Sequence, residues 1–206
     1  MFVKQITELY NKSVNRVKSQ AAELTQNYKK LSSVNEYLEM PSAIEGIAKA
    51  AINTFVKGSE EPQSWTAKED MNIISPVGGT DYSSHLTQSM VKSAVCEETA
   101  DKYKLSIVLY DDALTSPEKG EGYAGVFNTV TAATFTGINI PGVSFNKVDV
   151  KGINGSVKCT IEKSTGLVSE ITFNNTDILS LGVKVAFSEL NVQFALAVEK
   201  NYSIKY

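Results

Sequence analysis

The stretch Val157-Lys158-Cys159-Thr160-Ile161-Glu162-Lys163-Ser164-Thr165-Gly166-Leu167-Val168-Ser169-Glu170-Ile171-Thr172-Phe173 carries the reading of the fold class. Val157, Cys159 and Ile161 alternate with polar neighbours, the period of a strand with one buried face. Lys163 to Gly166 is a four-residue connection containing glycine, and Leu167, Ser169, Ile171 and Phe173 lead away from it, so a hairpin is predicted here. Downstream, Val183, Val185 and Phe187 predict a third strand and Leu190, Val192, Phe194, Leu196 and Val198 a fourth. Tyr202, Ile204 and Tyr206 keep that parity and Lys200 breaks it, which predicts a bulge or strand break near Lys200.

Upstream of the hairpin, Tyr103, Leu105, Ile107 and Leu109 alternate in the same way. The segment 111–122 is polar and reads as a turn, and 123–140, rich in Val, Thr, Phe and Ile, reads as strand. Towards the amino terminus the period changes. Tyr10, Val14, Val17, Ala21, Leu24, Tyr28 and Leu31 recur every three or four residues, predicting one long helix over 3–31. Ser42 and Glu45 form a capping box ahead of Ile44, Ile47, Ala48, Ala51, Ile52, Phe55 and Val56, and Gly58 closes a helix over 42–57. A long loop follows to Ser84, with at most a short strand over 71–74. A short helix over 88–95 starts at Thr87, with Leu86 stapled on Val91.

Helices first and antiparallel strands after describe an α+β fold, with N-terminal helices packed on a curved antiparallel sheet in a half-barrel-like meander. At 206 residues a single domain is expected, with 1–95 mainly helical plus a long loop and 96–206 forming the sheet. A hydrophobic fraction of 42% with 21% charge is that of a folded globular chain. A net charge of -3 and the single arginine, Arg16, exclude nucleic acid as the expected partner. Six basic residues against Glu8 and Glu23 make 1–30 a local basic patch, read first as a solvated helix face. No apolar run approaches the roughly 18 residues of a membrane span.

Catalytic chemistry finds little to work with. His85 is the only histidine, which removes multi-histidine metal sites and leaves a Cys96/His85 pair without positional support. Gly120-Glu121-Gly122-Tyr123-Ala124-Gly125 matches G-x-G-x-x-G, but turn formers precede it and β-branched residues follow, so it reads as a flexible loop. Asp111, Asp112, Glu118 and Glu121 form an acidic turn without calcium-loop spacing and read as a solvated hairpin end. No catalytic residue, metal or cofactor is expected. Cys96 and Cys159 lack metal or redox spacing and are either inert thiols or, in an oxidising compartment, a disulfide. Asn-x-Ser/Thr at Asn11, Asn154, Asn174 and Asn201 carries no weight. Trp65, Tyr82, Phe127, Phe135 and Phe145 stand at loops or weakly patterned strands, with core packing the plainer fate of the phenylalanines.

Three segments carry a resemblance: Tyr10 to Lys18, Lys92 to Cys96 ahead of the 103–109 strand, and Ile161 to Leu167 ahead of a tyrosine-rich closing strand. They resemble uncharacterised secreted or lipoprotein-type domains of gut Firmicutes. The resemblance implies an extracytoplasmic address with a removed leader or lipid anchor, and it supplies no catalytic residue. More distantly, the architecture is similar to the half-barrel of bacterial lipoprotein carriers, which implies a hollow between sheet and helices for a lipid-like ligand, lined by Ile47, Phe55, Phe173, Phe187 and Phe194. The expectation is thus a non-enzymatic binder of an apolar small molecule. The alternative is a structural or interaction module of the cell envelope that uses Trp65 as a surface anchor.

Overall fold

The computed structural model describes residues 1–42, 45–46, 60–67, 71, 73–76, 83–114, 122–129, 143–185 and 188–206. Among them are the helix α1 (Val3–Gln20), two helical residues at 45–46, and eight strands: β1 (Glu23–Ser33), β2 (Gln63–Trp65), β3 (Val91–Glu98), β4 (Lys102–Leu109), β5 (Asp112–Leu114), β6 (Val143–Glu162), β7 (Leu167–Val185) and β8 (Ser188–Lys205). All join one antiparallel sheet in the order β2-β1-β8-β7-β6-β4-β3, with β5 continuing the line of β4 along β6. The α+β class holds in the coarse form of an open antiparallel sheet with one N-terminal helix.

The predicted 163–166 hairpin joins β6 to β7, and Gly166 takes the left-handed conformation at φ 69°. The third predicted strand is not separate but the end of the second, and the fourth is longer than read. Val183 and Val185 finish β7 itself, and β8 runs unbroken past Lys200, each residue paired with β7 from Ser188 to Ser203. The irregularity lies instead on the partner strand, where β1 carries an extra residue at Asn27 opposite Asn201 and Tyr202.

That bulge explains the chief correction. The helix expected over 3–31 ends at Gln20, and 23–33 is strand. A spacing of seven residues, Leu24 to Leu31, is helical by habit and puts the two on opposite faces of a regular strand. One bulged residue restores them to the same face, so the period of β1 imitates a helix. The chain turns at Ala21 and Ala22, whose N–H groups donate to Val17 O (2.9 Å) and Lys205 O (2.8 Å), tying the helix end to the last strand.

Three further expectations change. Only Gln88–Met90 is helical, as a 3-10 turn, and 91–95 belongs to β3. Strands β1, β2 and β3 all come from the part expected to be mainly helical. Residues 71 and 73–76 hold no strand, within the expectation of at most a short one there; Met71 is in 3-10 conformation and Ile74 in a bend, both buried in the core. The first part of 123–140 is a 3-10 turn, Gly122–Gly125, and 130–140 lies outside the described residues. The helix expected over 42–57 falls almost wholly outside them.

Helix α1 lays Ile6, Tyr10, Val14 and Val17 on one face of the sheet, here called the inner face, at the end nearest the β6–β7 hairpin. Two asparagines on its flank hold the approaching 84–86 segment like a strand. Asn11 Nδ2 donates to Leu86 O at 2.7 Å while its Oδ1 accepts from Leu86 N, and Asn15 Oδ1 accepts from Ser84 N at 2.6 Å. A row of rings then crosses the core, Tyr123, Phe127, Phe173 and Tyr202, with successive centroids 4.6, 6.3 and 6.3 Å apart.

Tyr123 is seated by glycine. A Cβ on Gly152 would come within 2.5 Å of its ring, and one on Gly155 within 2.7 Å of its hydroxyl. Between the two glycines β6 bulges, with Asn154 at φ 56°. Asp111 Oδ1 accepts the Asn154 N–H at 3.1 Å, and Tyr123 Oη donates to Ile153 O at 2.9 Å, so the bulge's polar backbone is satisfied from both sides.

Candidate functional site

The inner face of β1, β8 and β7 is not uniformly apolar. From the α1 end it begins with Leu24, Ile204, Tyr202, Ile171 and Phe173, and it finishes with Leu196, Phe194, Val192, Leu179 and Leu181, all buried. A polar belt runs between these zones. It comprises Lys29 on β1, Lys200 on β8, and Asn175 and Asp177 on β7.

Register explains who faces whom. Lys29 stands directly opposite Lys200, which on its other side stands opposite Phe173. The Asn27 bulge turns Lys29 inward and sends Tyr28 to the outer face, where Tyr28 Oη donates to Glu199 Oε1 at 2.5 Å. Tyr28 is thereby pushed up to about 12, chiefly because its hydrogen bond to Glu199 favours the protonated phenol. Asn175 and Asp177 are buried, and Asn175 Nδ2 donates to Asp177 Oδ1 at 3.0 Å. Lys200 is half-buried, and its ammonium is pulled down to about 8 by desolvation first and the neighbouring Lys29 charge second, with Asp177 opposing. Burial, then the charges of Asp177 and Asp111, push the Tyr123 phenol upward.

At the belt the inner face reaches solvent. Lys29 and Leu31 on β1, with Val198 and Lys200 on β8, are all half-buried, whereas Leu196 and Phe194 beyond them are closed off. The strip pairs two cations with two apolar side chains.

Of the residues expected to line a ligand hollow, Phe173 is 1% and Phe194 3% exposed. Rings so completely covered have no solvent-sized space beside them and are engaged in core packing. Ile47, Phe55 and Phe187 lie outside the described residues. Trp65 is not a loop anchor: it ends the edge strand β2 opposite Leu24, half-buried and packed on the core. Cys96 and Cys159 are free thiols, not a disulfide. Both pair with Leu105, from opposite sides of β4, which separates their Cα atoms by two strand spacings, roughly 9–10 Å, beyond the ~7 Å a disulfide spans. Burial raises both thiols above their ordinary range.

The motifs of the acidic turn also resolve into structure. Asp112 Oδ2 accepts the Tyr123 N–H at 3.2 Å, so a carboxylate occupies the amide that a phosphate-binding loop would offer its ligand. Gly122–Gly125 is a packed turn with Tyr123, Ala124 and Gly125 buried. Among the described residues no three His, Cys, Asp or Glu side chains gather as a metal would require. No described helix is long and apolar enough to cross a membrane.

A concavity of about 370 Å³ lies on the outer face. It is walled by the ion pair Lys147–Asp149 (2.5 Å), by Ser180 donating to Gln193 Oε1 (3.2 Å), and by Glu39, whose backbone bridges Gln193 at 2.9 and 2.7 Å. Its lining is mainly polar, with Leu181 and Val192 contributing apolar surface.

Sequence reading missed the belt. Lys200 stood out as a break in parity, and Lys29 as one charge among six; nothing local to either shows that a bulge at Asn27 sets Lys29 opposite a residue on β8, the last strand of the chain. Fold and belt together define an open antiparallel sheet, backed by one helix, with a charged stripe across its covered face. No family model matches the chain, and neither does any curated protein or solved structure.

Proposed function

We propose that this chain is a non-enzymatic, extracytoplasmic binding protein that takes an amphiphilic small molecule against the inner face of its sheet, in the manner of a half-barrel carrier. The observation that carries the reading is the half-buried strip of Leu31 and Val198 beside Lys29 and Lys200, where apolar surface and charge meet at the border between core and solvent. Soluble folds seldom leave charge on a covered face unless something compensates it, because desolvating an ion costs several kcal/mol, roughly. The completely packed Phe173 and Phe194 move the entry point from the hollow first expected to this strip. The extracytoplasmic address rests on the resemblance of the 10–18, 92–96 and 161–167 segments. Native mass spectrometry of protein purified without detergent tests the binding reading: a mass adduct extractable into organic solvent is expected, and a bare chain that also ignores a fluorescent fatty-acid probe overturns it.

A second reading, a structural or interaction module of the envelope, draws on the polar outer groove between Glu39 and Lys147. Substituting Asn191 and Gln193 with alanine there weakens envelope association on that reading and leaves amphiphile binding unchanged.

A further inference from the structure

We propose that Lys29 and Lys200 form a site for one oxyanion, the monoanionic carboxylate or phosphodiester head of the amphiphile whose apolar part lies along Leu31 and Val198. The inference rests on the amphiphile-binding reading and adds the charge and position of the ligand's head.

Like charges directly opposite on neighbouring strands repel, and the chain avoids this elsewhere. Lys205 meets Glu23 at 3.0 Å, Lys163 meets Glu98 at 3.1 Å and Lys102 meets Glu162 at 3.4 Å. Each of those lysines has been given a carboxylate. Among the described residues, Lys29 and Lys200 make no ion pair or hydrogen bond, although they share a covered face. The carboxylate whose charge acts on Lys200 is Asp177, which faces Leu196 rather than Lys200 in the β7–β8 register and accepts from Asn175. Among the described residues the belt holds two cations and one anion, Asp177, and is one negative charge short, which favours a monoanion. Because both are lysines, the site offers two point charges and no planar fork, so it takes a single oxyanion of either geometry.

The position follows from the bulge. Without the extra residue at Asn27, Tyr28 would face inward and Lys29 outward, and the pair would not exist. The head therefore sits between β1 and β8, at the half-exposed border, and the tail follows Leu31 and Val198 toward the apolar zone.

The test titrates the full chain with oleate, monoolein and inorganic phosphate, reading Trp65 fluorescence and calorimetric Kd, for the parent, the Lys29→Met/Lys200→Met double variant and Lys30→Met as an outer-face control. Oleate is expected to bind at least about tenfold tighter than monoolein, the scale of one charge-assisted contact. The double variant should erase that preference while monoolein affinity stays level, and Lys30→Met should change neither. Oleate preference surviving in the double variant, or absent from the parent, overturns the anion site while amphiphile binding stands. Lysine-dependent phosphate binding without amphiphile binding keeps the anion site and removes the amphiphile. Failure of all three probes removes both. Circular dichroism of the double variant guards against unfolding, and Lys200→Arg, which retains the charge, should restore oleate preference.

Discussion

Gly152→Ala is expected to be among the most damaging single-methyl changes available to this chain. The new Cβ would lie 2.5 Å from two carbons of the Tyr123 ring, where carbon pairs rest at about 3.5–4.0 Å, so the ring must move by about 1 Å. It has nowhere to go: Phe127 packs on it at 4.6 Å, and its hydroxyl is held by Ile153 O at 2.9 Å. Overpacking of a tight core costs about 1–3 kcal/mol, and breaking the buried hydroxyl bond adds roughly 1–3 more. A total of about 3–4 kcal/mol is expected from urea unfolding followed by Trp65 fluorescence and far-UV circular dichroism. The double-mutant cycle with Tyr123→Ala isolates the cause. Once the ring is gone the methyl should cost less than about 1 kcal/mol, the ordinary range of a glycine-to-alanine exchange. A Gly152→Ala penalty that persists undiminished in the Tyr123→Ala background would refute the seating of this ring on glycine.

Lys200→Met should raise stability at neutral pH by about 1–3 kcal/mol, since it removes a desolvated charge beside a second cation. The folded ammonium sits at about 8 and the unfolded one near 10.5, so between these values the unfolded chain binds more protons and the parent gains stability as pH rises. The variant's advantage should therefore shrink from pH 8 upward and vanish above 10.5; an advantage flat across that window would count against the charge. Asn11→Ala removes both hydrogen bonds to Leu86 and should cost about 1–3 kcal/mol by thermal or urea unfolding, with a neutral result excluding the strap. Under mild oxidation the chain should stay free of an intramolecular disulfide, and Cys159 should react with a thiol reagent only at the rate of unfolding; rapid labelling of Cys159 in the folded state contradicts its burial.

Much of the sheet was legible because its signals are local. The 163–166 turn with its glycine, and the alternation through β4, β6 and the distal part of β8, are properties of a few consecutive residues. Bulges hid what was missed. Ser169 was read as sharing a face with Leu167 and Ile171, yet Val168 is the buried residue, because the Ile161–Val168 and Thr160–Glu170 pairs leave Ser169 extra. At Asn27 the same device made a strand look like a helix. A bulge changes the face of every residue after it without changing composition or propensity, so periodicity alone cannot place it.

By itself the sequence determined the α+β class, the hairpin meander and the single histidine and single arginine, since these follow from counts and short-range period. Tertiary structure decided which face each charge takes, that Cys96 and Cys159 stand two strands apart, that Tyr123 needs two glycines, and that Lys29 meets Lys200. Those are pairings between residues far apart in the chain. Their geometry comes from register, which is settled by the free energy of the whole sheet and not by any one strand's residues.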